Sequence, residues 1–155
     1  MNIELIREYC LSKPLATEDS AFGEDCVLMR VYGKIFAFLG LEHPDRVVLK
    51  CDPDRAIALR DRYEGICGAF HWNKKYWNEV HFDTDVPDEV ILELVDHSLS
   101  EVLKKLPRKT REEYECEFDA TDEYIEIHLD ALTDYFTDNE ATIFITLQKD
   151  KILYY

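Results

Sequence analysis

At 155 residues, the chain has the length of one compact domain, and its apolar fraction of 46% supplies a core that needs no metal or disulfide. A net charge of −15 speaks against nucleic-acid binding by overall charge, because the phosphate backbone repels an acidic protein. The longest apolar run, residues 35–39, is far too short to cross a membrane, and the charged N-terminus is unlike a signal peptide. We therefore expect a soluble, cytoplasmic protein.

The first half of the sequence predicts one helix followed by three strands. Helical spacing of apolar residues indicates a helix over residues 3–12. Alternating apolar residues then predict strands at 27–31 and 34–39, joined by a turn at Tyr32-Gly33, and a third strand at 46–51.

The next segment predicts a helix, a second hairpin and a long helix. Asp52-Pro53 is typical of a helix start, and Gly65 is expected to end that helix. Aromatic-rich runs at 69–72 and 76–82 predict two paired strands, and helical spacing continues over 87–106. This order of elements predicts an α+β fold, a two-layer antiparallel sheet with the helices on one face. The residues expected in the core are Ile6, Val31, Leu49, Ile57, Leu94, Leu99 and Leu103.

The negative charge is concentrated near the C-terminus. Residues 1–112 contain 16 Lys or Arg against 21 Asp or Glu, whereas residues 113–155 contain 2 against 12. We predict a domain of residues 1–112, ending in a charged joint at 108–112, and a β-rich acidic extension of residues 113–155 docked on the same domain. Its strand-like segments are 124–129 and 142–147.

Strand alternation assigns the sheet residues to two faces. The face expected to pack against the helices carries Val27, Met29, Val31, Ile35, Ala37, Leu39, Val47 and Leu49. The opposite face is expected to carry Arg30, Lys34, Phe36, Phe38, Arg46, Val48 and Lys50. This second face mixes cations with aromatic rings, so it either binds nucleic acid or is covered by the acidic extension.

The second hairpin is unusually rich in aromatic and basic residues. Residues 70–78 contain two tryptophans, two lysines, a histidine and two asparagines. A base can stack on an aromatic ring while a lysine neutralises a phosphate, which is typical of a nucleic-acid site. The structural alternative is that Asn73 and the lysines satisfy the turn while the tryptophans pack on the long helix. The candidate nucleic-acid-binding residues are Lys34, Lys50, His71, Trp72, Lys74, Lys75 and Trp77.

No catalytic residue, cofactor or metal site is predicted. The five cysteines include no C-x-x-C pair, and the five histidines lack short ligand spacing. Acidic pairs at 18–19 and 24–25, or Cys51 with His71, could be imagined as catalytic groups. No nucleophile elbow or phosphate loop accompanies them, so we expect a protein that is not an enzyme.

Five segments in order resemble the motifs of one family: residues 7–12 (REYCLS), 22–25 (FGED), 33–37 (GKIFA), 49–53 (LKCDP) and 71–78 (HWNKKYWN). These segments resemble the MmcQ/YjbR family over about residues 2–112. The resemblance implies a two-layer fold related to secretion chaperones, together with DNA binding. One departure is Tyr32, which stands where a second glycine is common in the family.

Two functions therefore remain open. The chain is either a DNA-binding protein that uses the basic aromatic hairpin and sheet face, or an acidic protein-interaction module, chaperone-like or a DNA mimic, that binds no nucleic acid. The expected partner is accordingly DNA or a protein, and no membrane partner is expected.

Overall fold

The computed structural model describes residues 1–117, and residues 1–107 of these form one compact unit. The elements in chain order are α1 (Ile3–Leu11), β1 (Ala16–Asp19), β2 (Cys26–Val31), β3 (Lys34–Gly40), β4 (Arg46–Lys50), α2 (Pro53–Arg62), β5 (Ile66–Gly68), β6 (Trp77–His81) and α3 (Asp88–Leu103). The strands form one antiparallel sheet in the order β1-β2-β3-β4-β6-β5, with the helices on one face. The predicted fold class is confirmed, with the unpredicted strand β1 added at one edge.

The turn between β2 and β3 forms at the predicted residues. Tyr32 (φ 46°) and Gly33 (φ 74°) both have left-handed backbone conformations, as the tight turns of two-residue hairpins require. The guanidinium of Arg30 donates to the Gly33 carbonyl at 2.9 Å and ties the turn to β2. Tyr32 therefore occupies a conformation that a glycine would adopt without steric cost.

A bulge in β3 corrects the predicted assignment of sheet faces. Met29 pairs with Ala37 but Arg30 pairs with Ile35, so Phe36 is an extra residue between two registers. Phe36, predicted on the outer face, is fully buried, and Ile35, predicted on the helix face, shares the outer face with Arg30. Alternation along a strand cannot reveal such an insertion, because it depends on the partner strand.

Helix α2 begins as predicted but ends differently. The Asp52 carboxylate accepts a hydrogen bond from the Arg55 backbone at 3.1 Å and caps the helix. The helix ends at an extended Tyr63, and Gly65 does not adopt the left-handed conformation of a glycine cap. Gly65 is instead a point of close approach, since a Cβ there would lie 2.0 Å from the Thr84 hydroxyl oxygen.

The second hairpin is present, but its first strand lies earlier than predicted. Strand β5 ends at Gly68, and residues 69–72 form a turn in which the Trp72 backbone donates to the Ala69 carbonyl at 3.2 Å. The predicted strand 69–72 is therefore wrong. Trp72 packs over Phe38 and Trp77 of the sheet instead of extending it, whereas Phe70 is 74% exposed.

Helix α3 crosses β3 and β4 and supplies much of the core. Leu94 and Leu99 are buried as expected, whereas Ile57 on α2 is 57% exposed and its assignment to the core is wrong. The buried hydroxyl of Ser98 accepts from the Lys50 backbone at 2.8 Å and donates to the Phe36 carbonyl. It thus bridges β3 and β4 beyond their last direct pair.

A second unit of the chain begins at Arg108. Its described part, residues 108–117, is helical, and an Arg108–Glu112 ion pair of 2.8 Å supports the first turn. The predicted strands 124–129 and 142–147 and the docking of the extension lie outside the described residues. The division at residue 112 stays a prediction. Within residues 1–117, no helix is long and apolar enough to span a membrane.

Candidate functional site: a cationic and aromatic groove

A groove of about 420 Å³ lies at the end of the sheet where the β2–β3 hairpin, the end of β4 and the end of α3 meet. We call it the cationic groove; its lining residues are Arg30, Gly33, Lys34, Ile35, Lys50, Trp72, Trp77, Val102, Lys105 and Leu106. Four of these residues are cations, two are tryptophans and none is acidic. The lining of the groove is therefore positively charged, although the chain as a whole has a net charge of −15.

The lysines of the cationic groove repel each other. Burial lowers the pKa of the Lys50 ammonium, and the nearby charges of Lys105 and Lys34 lower it further. Within residues 1–117, none of these three lysines forms an ion pair of 4.0 Å or less with a carboxylate, whereas Arg30 is paired with Asp19. The Glu101 carboxylate raises the pKa of Lys50 and offsets only part of the lowering. The remaining excess of positive charge in a concave site attracts an anionic ligand.

Two tryptophans form the aromatic wall of the groove. The rings of Trp72 and Trp77 lie 4.5 Å apart between centroids, at an interplanar angle of 43°. Trp72 also packs edge-on against Phe38 at 5.6 Å, and the Lys50 ammonium lies 5.9 Å from the Trp77 ring centroid. Since Phe38 and Trp77 are on the outer face of the sheet, Trp72 covers that face rather than packing only on the long helix, as the structural alternative supposed.

The structure brings together four of the seven predicted binding residues, Lys34, Lys50, Trp72 and Trp77. The other three do not line the groove. Lys74 and Lys75 lie over the rings of Phe70 and Tyr76, at 5.7 and 5.4 Å from the centroids, and His71 stacks edge-on against Phe70 at 4.8 Å. The hairpin is therefore split between the groove and a separate basic tip.

Lys105 is a groove residue that was not predicted from the sequence. Its ammonium lies 5.0 Å from the Tyr76 ring centroid, and its neighbours Val102 and Leu106 also line the groove. In the sequence, residues 102, 105 and 106 continue the helical spacing that predicted a helix over 87–106, so a lysine beside this apolar spacing was an available signal. In the structure α3 ends at Leu103, and Lys105 and Leu106 lie in the turn that follows.

A second cluster lies on the outer face near the β5 edge. Cys67, Glu79 and His81 each offer a ligand atom, and these atoms all lie within 4.8 Å of one another. Burial raises the pKa of the Cys67 thiol, and the Glu79 carboxylate raises it further. Short Cys and His spacing could not reveal this cluster, because pairing between strands brings Cys67 to Glu79.

Comparison with known proteins finds a family model and relatives that match this chain. The family model YjbR matches residues 11–100. The protein YjbR of Escherichia coli (strain K12) is 30% identical over 112 residues, which cover 72% of this chain and 95% of that protein. YbdF of Escherichia coli O157:H7 is 24% identical over 107 residues, covering 68% of this chain and 88% of the relative.

Solved structures agree with the fold. The Deinococcus radiodurans protein DR2400, which carries a DUF419 domain, superposes with a TM-score of 0.67 at 30% identity and covers 72% of this chain and 86% of its own. A protein from Pseudomonas syringae superposes with a TM-score of 0.55 at 23% identity, covering 63% of this chain and 96% of its own, which supports the fold alone.

Proposed function

We propose that this chain, which belongs to the YjbR family, is a non-enzymatic binding protein whose cationic groove takes single-stranded nucleic acid. The observation that carries the proposal is the groove itself, in which three lysines without carboxylate partners among the described residues lie beside two tryptophans. Lysines offer charge to phosphates, and tryptophans offer surfaces on which bases stack.

The net negative charge of the chain opposes nucleic-acid binding in the groove only weakly. Charges more than about 10 Å apart in solvent are largely screened at moderate salt, so a phosphate in the groove responds mainly to the nearest cations. Binding of one anion would also offset the burial and the neighbouring lysine charges that together lower the pKa of the Lys50 ammonium. The distant acidic residues would then weaken association mostly at low salt.

Single strands suit the groove better than duplexes. The faces of paired bases are hidden in the stack, whereas unpaired bases can be laid on an aromatic side chain. The Trp72–Trp77 pair lies beside Lys50, so one nucleotide could stack while its phosphate meets an ammonium. DNA and RNA are both compatible with this chemistry.

The competing function is an acidic protein-interaction module that binds no nucleic acid. The net charge of −15 favours it, because an acidic surface attracts basic protein partners. Under either function we propose a cytoplasmic location, supported by the five cysteines, which are all free.

The test is fluorescence anisotropy of labelled single-stranded DNA, single-stranded RNA and duplex DNA with the full chain over a salt series. We expect both single strands to bind more tightly than the duplex. In the double variant Lys50→Ala/Lys105→Ala, the slope of log affinity against log salt should flatten by about 1.4, because each phosphate that no longer meets a lysine reduces the slope by about 0.7. Trp77→Leu should cost about 1 to 3 kcal/mol of binding free energy, because a base can no longer stack on the indole ring.

The matched control is Lys74→Ala/Lys75→Ala, which makes the same change in net charge at the hairpin tip. We expect it to leave the slope unchanged. Equal flattening in both double variants would move the site to the tip, and no binding of any nucleic acid by the full chain at low salt would favour the protein-interaction function.

A further inference from the structure

Strand pairing assembles a mixed set of potential metal ligands at the β5 edge of the sheet. Cys67 on β5 pairs directly with Glu79 on β6, and His81 follows two residues later on the same face. The Cys67 sulfur lies 3.7 Å from Glu79 Oε2 and 3.9 Å from His81 Nε2. Three different ligand types therefore converge on one point of the outer face.

The spacing of these atoms fits a tetrahedral metal ion. With zinc–sulfur bonds of about 2.3 Å and zinc–nitrogen or zinc–oxygen bonds of about 2.0 to 2.2 Å, tetrahedral angles separate sulfur from its neighbours by about 3.6 Å. The observed 3.7 and 3.9 Å exceed this separation by roughly 0.1 to 0.3 Å, which small side-chain rotations would close. The ligand atoms of Glu79 and His81 lie within 4.8 Å of one another, and side-chain rotation would have to bring these two closer as well.

Arg46 already orients one of the three ligands, and Asp45 lies near a second. Arg46 Nη1 donates to Glu79 Oε1 at 3.1 Å, which leaves Oε2 turned toward Cys67. Asp45 Oδ2 lies 4.0 Å from His81 Nδ1, on the opposite side of the ring from the nitrogen that faces the sulfur. A carboxylate behind a metal-binding histidine is a common arrangement, because it fixes the ring and its tautomer.

The ligands are neither deeply buried nor free in solvent. The side chains of Glu79 and His81 are 16% and 26% exposed, and Cys67 is exposed at the edge strand. An ion could therefore reach the site without unfolding the sheet, and a fourth coordination position would open toward solvent.

We propose that Cys67, Glu79 and His81 form a zinc site with three protein ligands and an open fourth position. On binding, the Cys67 sulfur forms a bond to Zn²⁺ and its proton passes to solvent, while the imidazole and the carboxylate donate lone pairs without other change. A sulfur, nitrogen and oxygen set favours zinc and related transition metals over Mg²⁺ or Ca²⁺, which prefer all-oxygen sites. The inference is independent of nucleic-acid binding, since none of these three residues lines the cationic groove.

The test is titration of the untagged, reduced full chain with Co²⁺, followed by competition with Zn²⁺. We expect one equivalent of Co²⁺ to produce a thiolate-to-cobalt charge-transfer band that Zn²⁺ abolishes. Cys67→Ser should lose this band, whereas Cys116→Ser, which removes another exposed free cysteine, should keep it. Asp45→Asn should weaken zinc binding about 10- to 100-fold, as removal of such outer partners usually does.

Circular dichroism of each variant provides the folding control. Cys67 is exposed, so Cys67→Ser is expected to unfold at the wild-type temperature in the absence of metal. A Cys67→Ser protein that is folded and binds Zn²⁺ as tightly as the wild type would overturn the proposal. So would a charge-transfer band that depends on Cys116 instead of Cys67.

Discussion

Replacing Ser98 with alanine tests the join between helix α3 and the sheet. The Ser98 hydroxyl serves two backbone groups at once, accepting from the Lys50 N–H and donating to the Phe36 carbonyl, and the side chain is fully buried. Alanine leaves both groups without that partner in a buried place. Each buried group left unsatisfied costs about 1 to 3 kcal/mol, and the better helix propensity of alanine returns about 0.5 kcal/mol.

We therefore expect Ser98→Ala to lower the free energy of unfolding by about 2 to 5 kcal/mol. The assay is urea unfolding at equilibrium, with the slope against urea required to stay unchanged. Ser100→Ala is the matched control, because Ser100 lies on the same helix but is exposed, and it should change stability by less than about 0.5 kcal/mol. A Ser98→Ala protein as stable as the control would refute the bridging role of the hydroxyl.

Two further predictions concern α3. Leu99→Ala should cost about 2 to 5 kcal/mol of unfolding free energy, since the residue is 6% exposed and its removal leaves a cavity; a loss below about 1 kcal/mol in urea unfolding would contradict this packing. Burial lowers the pKa of the His97 imidazole from 6.5, and its Nε2 accepts from the Asp52 backbone, so the unfolded chain binds the proton more readily. The stability that neutral His97 contributes should be fully present above about pH 6.5 and should decrease as the pH drops below it. His97→Gln should lack this loss in urea titrations between about pH 7 and pH 5, where carboxylates contribute little.

Local chemistry explains what the sequence predicted correctly. Tyr32-Gly33 marks its hairpin because the flanking residues alternate and a glycine tolerates the turn. Asp52-Pro53 marks the start of α2 because the carboxylate caps the helix and the proline has its φ angle fixed near the helical value, and neither effect needs a distant partner. Such signals act within a few residues, so a single sequence contains them in full.

Features set by distant partners were missed. Strand β1 has the polar sequence ATED, and ion pairs from Arg7 to Glu18 and from Arg30 to Asp19 hold it, neither of which follows from a pattern of apolar residues. The bulge at Phe36 also depends on pairing with a distant strand, and it places Ile35 and Phe36 on the faces opposite to those predicted.

The candidate groove contains residues that the sequence predicted and one that it did not. Lys34, Lys50 and the tryptophans were chosen for their chemistry, and the structure brings them together. Lys105 belongs to the groove only through the way in which α3 meets the sheet end. Composition can therefore suggest the kind of ligand, while the membership of the site depends on tertiary packing.

The short length of the two edge strands affects whether the protein aggregates at high concentration. An unpaired strand edge is a template on which another chain can add a strand and begin a fibre. Here β1 has only four residues, two of them acidic, and β5 has only three. Edges this short offer few backbone hydrogen bonds to an added strand, and both carboxylates of β1 are already engaged by Arg7 and Arg30 of the same chain. We therefore expect the sheet of residues 1–107 to resist growth by strand addition even in concentrated solution.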